Sequence, residues 1–394
     1  MAKHKNNHTP TRIRFSWNDP FTRGVIYQVV IIGLLAFGVW YLVSNTLHNL
    51  AVRNISTGFD FLNREAGFAI GEMSIDYKPS DTYGRAIVVG LINTLKVSVI
   101  GIVLATILGT LLGIARLSTN WLVKKVASVY VEVMRNVPLL LQLFFWYALI
   151  TETLPRPKDA YSPLPGVFMS NRGLKVPTLE GNAWSWILGG VAIAIVISVL
   201  FAHWARKRQE QTGRMPPVLR VSGLLIVIVP ALLLWISGEG VHLSFPELRG
   251  FNFQGGTTLT PEFAALLLGL VVYTSAFIAE VVRSGIQAVS KGQWEAAESI
   301  GLPRSLTLRL VILPQSLRVI IPPMTSQYLN LTKNSSLAVA IGYPDIVSVV
   351  NTTLNQTGQA IEGILIIMAA YLTVSLSISV FMNWYNRRLA LVER

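Results

Sequence analysis

A lysine in an apolar part of the chain is the residue whose surroundings most suggest binding chemistry. Lys333 lies in the polar stretch Asn330–Ser336, inside a longer segment that is apolar enough to lie in a membrane. Prolines precede the polar stretch, and Gly342 follows it. A charge at membrane depth is costly and usually serves a function, and transporter sites tend to lie where a helix is interrupted. Its ammonium group could bind a carboxylate, while neighbouring amide and hydroxyl groups could accept from an ammonium group. We predict a substrate path at Asn330, Lys333, Asn334, Ser335 and Ser336; the alternative is a hydrogen-bonded patch that holds a distorted helix together.

Two acid–base pairs lie one helical turn apart near the ends of apolar segments. They are Glu132 with Arg135, and Glu280 with Arg283. Each spacing allows an i,i+3 ion pair on one helix, and the four residues could also form a gate network across helices. Static pairing and gating both stay open. Lys96, at the outer end of its segment, is expected to extend to the membrane interface.

Catalysis and metal binding have no basis in the sequence. The chain has no cysteine, and its 5 histidines are scattered singly. It carries no H-E-x-x-H or G-x-S-x-G motif, and no G-x-x-x-x-G-K-[ST] loop that could hold ATP phosphates. We expect a chain that is not an enzyme, with no catalytic residue, no metal site and no bound cofactor.

The composition points to a membrane as the solvent. Of 394 residues, 52% are hydrophobic and 13% are charged, whereas soluble domains carry about 25% charged residues. The net charge of +13 comes from short basic clusters between apolar runs. Nucleic-acid binding needs a basic patch on one face of the protein. Short basic clusters between apolar runs do not indicate such a patch, so nucleic-acid binding is not expected.

Runs without Asp, Glu, Lys or Arg predict an all-α polytopic membrane protein with about eight transmembrane helices. Most runs approach the roughly 20 residues that cross about 30 Å of hydrocarbon, where backbone groups must be paired internally. A weaker eighth segment, Pro322–Val349, is interrupted by prolines, Lys333 and Gly342. The other seven are Gly24–Val43, Val97–Ala115, Asn136–Thr151, Gly181–Ala205, Val221–Gly238, Phe263–Ala279 and Gly363–Asn386.

Lysine and arginine in the loops predict the orientation. With eight spans and a cytoplasmic N-terminus, the inside segments hold 22 of these residues and the outside segments hold 9. Such an excess is typical of the cytoplasmic side. We therefore expect both termini in the cytoplasm. Of the two long outside loops, the proline-rich Leu154–Asn182 is expected to be an ordered but irregular loop rather than a domain.

A capped helix is predicted in the inside segment Ser284–Pro323. Ser290 and Gln293 form a capping box, so the helix should begin near Lys291. Gly301 supplies a left-handed stop, and Pro303 prevents continuation. Such a helix could bind in a cleft of another protein or lie on the membrane surface.

A small-residue seam lies in the second span. Gly101, Ala105, Gly109 and Gly113 recur every four residues, which lets another helix approach closely. The seam predicts packing, either within the subunit or across a dimer.

Two stretches carry a family resemblance. Glu295-Ala296-Ala297, followed by Gly301 and by Ile312-Leu313-Pro314, resembles the EAA signature of ABC-importer permeases. Tyr130–Gln142 resembles polar amino-acid permeases, although Asn136-Val137 stands where that family usually has Gly-Thr. The resemblance covers roughly Val88–Asn386 except Leu154–Glu262, and such a long permease is similar to general L-amino acid transporter subunits.

The resemblance implies a type I permease core of five helices, with an N-terminal helix and an inserted helix pair outside it. It implies an importer of L-amino acids of broad specificity, in a bacterial inner membrane, driven by a separate ATPase. The implied partners are two copies of an ATP-binding subunit that uses ATP and Mg, a second similar permease in a heterodimer, a periplasmic amino-acid-binding protein, the amino-acid substrate and membrane lipid. The residues implied in ATPase coupling are Trp294, Glu295, Ala296, Ala297, Gly301 and Pro303.

The expected organisation follows from these observations. The segments are a cytoplasmic tail (1–23), a first transmembrane helix (24–43), a periplasmic loop (44–85), the permease domain (86–386) with its insertion (154–262) and coupling loop (284–320), and a cytoplasmic tail (387–394). The alternative function is an ion-gradient-driven secondary transporter or channel that acts without an ATPase.

Overall fold

The computed structural model describes residues 20–52, 57–179, 181, 183–213, 216–238, 243–250 and 252–389. Most of the predicted N-terminal tail (1–19) and residues 390–394 of the C-terminal tail lie outside this range. Within it, seven helices are long and apolar enough to cross a membrane, and one bent helix pair makes an eighth span. The predicted helical membrane protein with about eight spans is confirmed.

Twelve α-helices and eight short strands are named here in chain order. The helices are α1 Pro20–Val52, α2 Tyr83–Ala115, α3 Trp121–Asn136, α4 Leu139–Ala148, α5 Ala183–Thr212, α6 Val218–Ser237, α7 Pro261–Gln287, α8 Lys291–Ser299, α9 Arg304–Thr307, α10 Leu313–Asn334, α11 Ile346–Thr357 and α12 Ala360–Leu389. The strands are β1 Tyr161–Leu164, β2 Val167–Ser170, β3 Gly173–Val176, β4 Thr178–Leu179, β5 Leu243–Ser244, β6 Glu247–Arg249, β7 Asn252–Gln254 and β8 Thr257–Leu259. π turns occupy Leu149–Thr153 and Leu308–Ile312, and 3-10 turns occupy Asp60–Asn63, Pro157–Asp159 and Ser335–Ile341.

A proline bends the third span. α3 and α4 meet at 104°. Pro138 has no N–H to donate, and a residue before proline disfavours helical backbone. Val137 is accordingly extended, with φ −91° and ψ 127°. The helix therefore ends at Asn136 and begins again at Leu139.

Prolines do not interrupt the seventh span. Pro322 and Pro323 lie inside α10, so the predicted interruption at these residues is wrong. Membrane helices tolerate proline where other groups satisfy the freed backbone. The interruption comes at Gly342, which ends the 3-10 turn with φ +80°. α11 then begins as a separate helix after Asp345, whose side chain accepts from the N–H of Ser348.

Helix α7 is the centre of the bundle, because α2, α3, α4 and α10 all pack against it. The largest buried cluster joins Leu143 of α4, Leu266 and Ile278 of α7, and Leu331 of α10. α1 leaves its apolar side chains exposed, and α5 packs mainly against α6. These three helices therefore present surface suited to lipid.

The small-residue seam forms the contact of α2 with α7. A Cβ added to Gly109 would lie 2.6 Å from Cβ of Ile278, and one added to Gly113 would lie 2.8 Å from Cβ of Val282. Only glycine allows backbones this close. The seam therefore packs within the subunit, which decides between the two predicted possibilities. Its four buried members are Gly101, Ala105, Gly109 and Gly113.

The two inserted loops build a small β layer, so the expectation of an irregular proline-rich loop is wrong. Strands β1, β2 and β3 from the first loop join β8 from the second in one antiparallel sheet. The rings of Phe168 and Phe253 stack between the loops with centroids 4.5 Å apart. β8 leads directly into α7, which places the sheet at the start of that helix.

The loop 57–82 is folded and covers the first turns of α2. Phe61 and Tyr77 from the loop form a buried cluster with Tyr83 of α2 and with Ile346 and Val350 of α11. This end of the molecule, which also carries the β layer, is called the sheet end. The opposite end, which carries α8, is called the α8 end.

We expect Gly109→Ala to destabilise the protein by about 1–3 kcal/mol, the usual cost of overpacking. The added Cβ would lie 2.8 Å from the carbonyl oxygen of Ser275, a backbone atom that cannot rotate away. Gly101→Ala is the matched control on the same helix, because its Cβ would meet only the ends of two leucine side chains, Leu331 at 3.3 Å and Leu267 at 3.9 Å. Thermal unfolding in detergent measures both variants. Equal midpoints would contradict the packing role of Gly109.

Candidate functional site

Helix α8 begins and ends where the sequence predicted. Ser290 precedes it in extended conformation, but the Ser290 side chain makes no capping hydrogen bond, so the predicted capping box does not form. At the other end Gly301 has φ +74°. The N–H of Leu302 bonds to the carbonyl of Ala297 at 3.1 Å, which satisfies an end carbonyl of the helix.

The predicted coupling residues divide between two faces of α8. Ala297 is buried and Trp294 is half-buried, so these two fix the helix to the bundle. Glu295 and Ala296 are exposed on the other side. Ile300, just after the helix, leaves 76% of its surface exposed. The exposed group, completed by Gly301 and Pro303, is called the α8 face.

Helix α8 is linked to α10 in two ways: through α9, which follows the non-helical residues 300–303, and through a side-chain contact. α9 passes through the π turn Leu308–Ile312 directly into α10. The amide of Gln315, at the start of α10, donates to Oε1 of Gln293 in α8 at 3.1 Å and to the carbonyl of Val311 at 3.0 Å. Displacement of α8 therefore acts directly on α10.

Glu280 is the centre of an ion cluster at the α8 end. Its carboxylate binds Arg283 one turn away at 2.5 Å and Arg116 at the end of α2. Arg135 of α3 lies farther off, with 3.9 Å between Nη1 and Oε2, and its guanidinium stacks over Phe277 at 5.2 Å. Three of the four predicted residues, Arg135, Glu280 and Arg283, therefore lie together in the structure. The cluster also contains Arg116, which the sequence spacing did not reveal.

Glu132 is not part of this cluster. Its side chain is exposed, and it makes no ion pair with any residue in the described ranges. The predicted pair of Glu132 with Arg135 therefore does not form. The reason is that Arg135 points toward α7, where Glu280 and Phe277 both attract a guanidinium.

The predicted substrate path divides in the same way. Asn330 and Lys333 are exposed on one face of α10, together with Ser326 one turn earlier. The spacing of four and three residues puts the three on a single stripe. Lys333 lies in the last turn of α10 rather than at mid-helix, and cations are favoured there by the helix dipole.

The remaining residues of the predicted path lie at the end of α10, where two of them bond to carbonyls of its last turn. Ser335 is buried, and its hydroxyl donates to the carbonyl of Thr332 at 2.7 Å. The hydroxyl of Ser336 donates to the carbonyl of Lys333 at 2.8 Å. Asn334 is half-buried. Only Asn330 and Lys333 therefore present side chains to the exposed stripe, and the two serines support the end of α10.

A second ion pair lies at the sheet end. Lys96 of α2 binds Oε1 of Glu72 at 2.7 Å and lies over the ring of Phe263 at 4.6 Å. The other oxygen of Glu72 accepts from the hydroxyl of Thr260 at 2.6 Å. Lys96 thus extends toward the sheet end and is paired there with a carboxylate of the folded loop. No spacing signal could have found Glu72, because it comes from an irregular loop 24 residues earlier.

We expect Arg116→Gln to lower stability by about 1–3 kcal/mol, as for a hydrogen bond to a charged group. Arg116 is only 13% exposed and joins α2 to α7 through Glu280. Arg135→Gln is the control, because its longer and more exposed contact should contribute less than about 1 kcal/mol. Thermal unfolding in detergent compares them. A larger loss in Arg135→Gln would mean that α3, not α2, is held by Glu280.

Comparisons with known proteins agree with this architecture. The family described as "Binding-protein-dependent transport system inner membrane component" matches residues 211–391. The Putative amino-acid ABC transporter permease protein YhdX of Escherichia coli K12 is 51% identical over 96% of this chain and 97% of its own. The General L-amino acid transport system permease protein AapQ of Rhizobium johnstonii is 48% identical over 97% of this chain and 96% of its own.

A further relative has a different named specificity. The Glutamate/glutamine/aspartate/asparagine transport system permease protein BztB of Rhodobacter capsulatus is 43% identical over 95% of this chain and 96% of its own. These matches run nearly end to end, so they include the inserted helices and loops. They favour an ABC permease over the alternative of an ion-gradient-driven transporter. The chain therefore belongs to the binding-protein-dependent inner-membrane permeases of amino-acid ABC importers.

Proposed function

We propose that this chain is the permease subunit of an importer that moves L-amino acids of several side-chain classes into the cytoplasm. The α8 face carries this proposal. It is a capped helix at one end of the bundle, and it exposes Glu295, Ala296 and Ile300. A separate ATPase, which binds ATP and Mg, contacts the α8 face, with two copies in the complex.

The orientation proposed is with the α8 end in the cytoplasm of a bacterial cell and with both termini there. Arg116, Arg135 and Arg283 lie at this end, and lysine and arginine are typical of cytoplasmic ends. The sheet end then faces the periplasm, where a binding protein delivers the amino acid.

A second, similar permease covers the stripe of Ser326, Asn330 and Lys333. Polar and charged residues within a span face other protein or water rather than lipid. The described part of this chain leaves the stripe exposed. Two permeases that face each other across such stripes enclose one path, and a non-identical partner makes the assembly a heterodimer.

Substrate recognition on this path rests on the part that all amino acids share. Lys333 attracts the carboxylate, and the amide of Asn330 offers both donor and acceptor atoms. Broad specificity agrees with recognition of these common groups. The relatives named for general L-amino acids and for glutamate, glutamine, aspartate and asparagine are 48% and 43% identical to this chain.

Gating is proposed for Arg135 rather than for Arg116. Arg116 and Glu280 belong to helices that the glycine seam holds together, so their contact stays closed. Arg135 contacts Glu280 at 3.9 Å from the bent third span. A movement of α3 relative to α7 would therefore break the Arg135 contact while the Arg116 contact holds. Glu132, exposed nearby on α3, is available to an ion pair only in another state or with a partner chain.

The coupling proposal predicts that Glu295→Lys and Gly301→Val reduce substrate-stimulated ATP hydrolysis at least tenfold. Lysine reverses a charge on the α8 face, and valine is strained at the positive φ of Gly301. ATP hydrolysis by the reconstituted complex is the measurement.

Two controls separate coupling from folding. Glu247→Lys makes the same charge change at an exposed site of the sheet end, and it should leave stimulated hydrolysis within twofold of the parent. Gly292→Ala adds a Cβ in α8 that meets no atom within 4 Å, and it should preserve assembly. Normal stimulation of ATP hydrolysis in both Glu295→Lys and Gly301→Val would show that α8 lies on the membrane surface instead.

The path proposal predicts that Lys333→Met raises the KM of uptake about tenfold for acidic, neutral and basic amino acids alike, because all share the carboxylate. Lys333→Arg keeps the charge and should recover most of the affinity. Uptake into proteoliposomes and recovery of the intact complex measure transport and assembly separately. A defect confined to one side-chain class would assign Lys333 to side-chain recognition, and normal uptake of all classes would remove it from the path.

A further inference from the structure

A cavity at the sheet end has no role in the function described so far. Its volume is about 370 Å³, and it lies between the folded loop 57–82, the start of α7 and the first turns of α11. We call it the outer cavity. The residues that the argument uses are Gly71, Glu72, Thr260, Glu262, Ser348 and Thr352.

The two carboxylates in the outer cavity differ in how they are satisfied. Glu72 is 7% exposed and uses both oxygens, one for Lys96 and one for Thr260. Glu262 is half-buried and accepts one hydrogen bond, from the hydroxyl of Tyr147 at 3.2 Å. It forms no ion pair with a residue of the described ranges. Lys96 neutralises Glu72, so the wall of the cavity keeps one net negative charge, on Glu262.

The other walls suit a small amphipathic molecule. Ser348 and Thr352 lie one turn apart on α11 and offer hydroxyl oxygens. Phe68, Ile70 and Val349 supply an apolar surface. A cavity with one unneutralised carboxylate, hydroxyl acceptors and an apolar side fits an ammonium group that carries an organic side chain.

The outer cavity is joined to Lys333 by the 3-10 turn that follows α10. Gly342 lines it and stands at the end of the 3-10 turn that follows α10. That turn rises by roughly 2 Å per residue, so the cavity is on the order of 15–20 Å along the chain from Lys333. The cavity therefore lies nearer the sheet end than Lys333 does, nine residues farther along the chain.

We propose that the outer cavity holds the ammonium group of an amino acid, with Glu262 as its counter-ion, before the carboxylate reaches Lys333. The proposal rests on the proposed function, since it needs amino acids to enter from the sheet end. It adds a second binding step: the ammonium group is bound first, and the carboxylate second.

A single engineered cysteine tests this directly, because the chain has none of its own. Gly71→Cys places a thiol in the lining, and a Cβ there meets no atom within 4 Å. Tyr161→Cys, an exposed site of β1 outside the cavity, is the control. The measured quantity is the rate of modification by a cationic methanethiosulfonate divided by the rate of modification by an anionic one. We expect this ratio to be at least threefold higher at Gly71→Cys than at Tyr161→Cys. Glu262→Gln in the Gly71→Cys background should abolish this preference, whereas Tyr147→Phe, which keeps the carboxylate, should retain it.

Protection of Gly71→Cys from modification identifies the ligand. We expect millimolar L-glutamine to slow modification and N-acetyl-L-glutamine, which lacks the ammonium group, to have no effect. Protection by both compounds or by neither overturns the proposal. Protection by n-butylammonium but not by L-glutamine also overturns it, and assigns the cavity to a lysine side chain of the binding protein. The assay needs neither ATP nor transport, so its outcome is independent of Lys333→Met and of the α8 variants.

Discussion

The contact between α2 and α7 is the constraint on which the rest of the structure depends. It brings two backbones so close that a Cβ on Gly109 or Gly113 would overlap the neighbouring helix. This approach fixes the two helices in register over several turns. The register places Arg116 beside Glu280 at one end and Lys96 beside Phe263 at the other. The Arg116–Glu280 ion pair and the Lys96–Phe263 cation–π contact both join α2 to α7, so both depend on this register.

A rigid α2–α7 pair restricts where the molecule can move. The two helices are joined along their length by packing and at the α8 end by a part-buried ion pair. Relative motion must therefore occur at the less constrained elements. One is the third span, which is bent at Pro138, contacts Glu280 through the long Arg135 interaction and is hydrogen-bonded to α7 through the hydroxyl of Tyr130. The other is α10, which α8 can displace through α9 and through Gln293.

Local sequence signals predicted the features that depend on a few neighbouring residues. The end of α8 at Gly301 is one, because a positive φ favours glycine whatever surrounds it. The small-residue seam is another, although the sequence alone could not say which helix packs there. The prediction failed at Pro322 and Pro323, since whether a proline interrupts a membrane helix depends on neighbours that the local pattern does not contain.

Features that join distant segments could not be predicted in this way. Arg116 and Glu280 are 164 positions apart, and Thr260 reaches Glu72 across 188 positions. The sheet of β1, β2, β3 and β8 needs strands from both inserted loops, so neither loop alone carries its signal. The substrate path was predicted as one polar stretch, but helix geometry turns Ser335 inward and leaves Lys333 outward. Composition identified that stretch correctly as polar, yet only the helix rotation separates supporting residues from exposed ones.

The π turn at Leu308–Ile312 has a consequence for the rotational phase of the helix that runs from α9 into α10. Buried residues from the last residue of the turn onward recur every four positions, at Ile312, Ser316, Ile320 and Met324. The step back to Thr307, which is buried and whose hydroxyl donates to the carbonyls of Leu302 and Pro303, is five. A π turn contains one residue more than an α turn, so it absorbs this extra position. A continuous α-helix would rotate Thr307 out of its contact or turn the buried face of α10 away from α7. The extra residue therefore allows the α9 part and the α10 part of one continuous helix each to turn its buried residues toward its own neighbour.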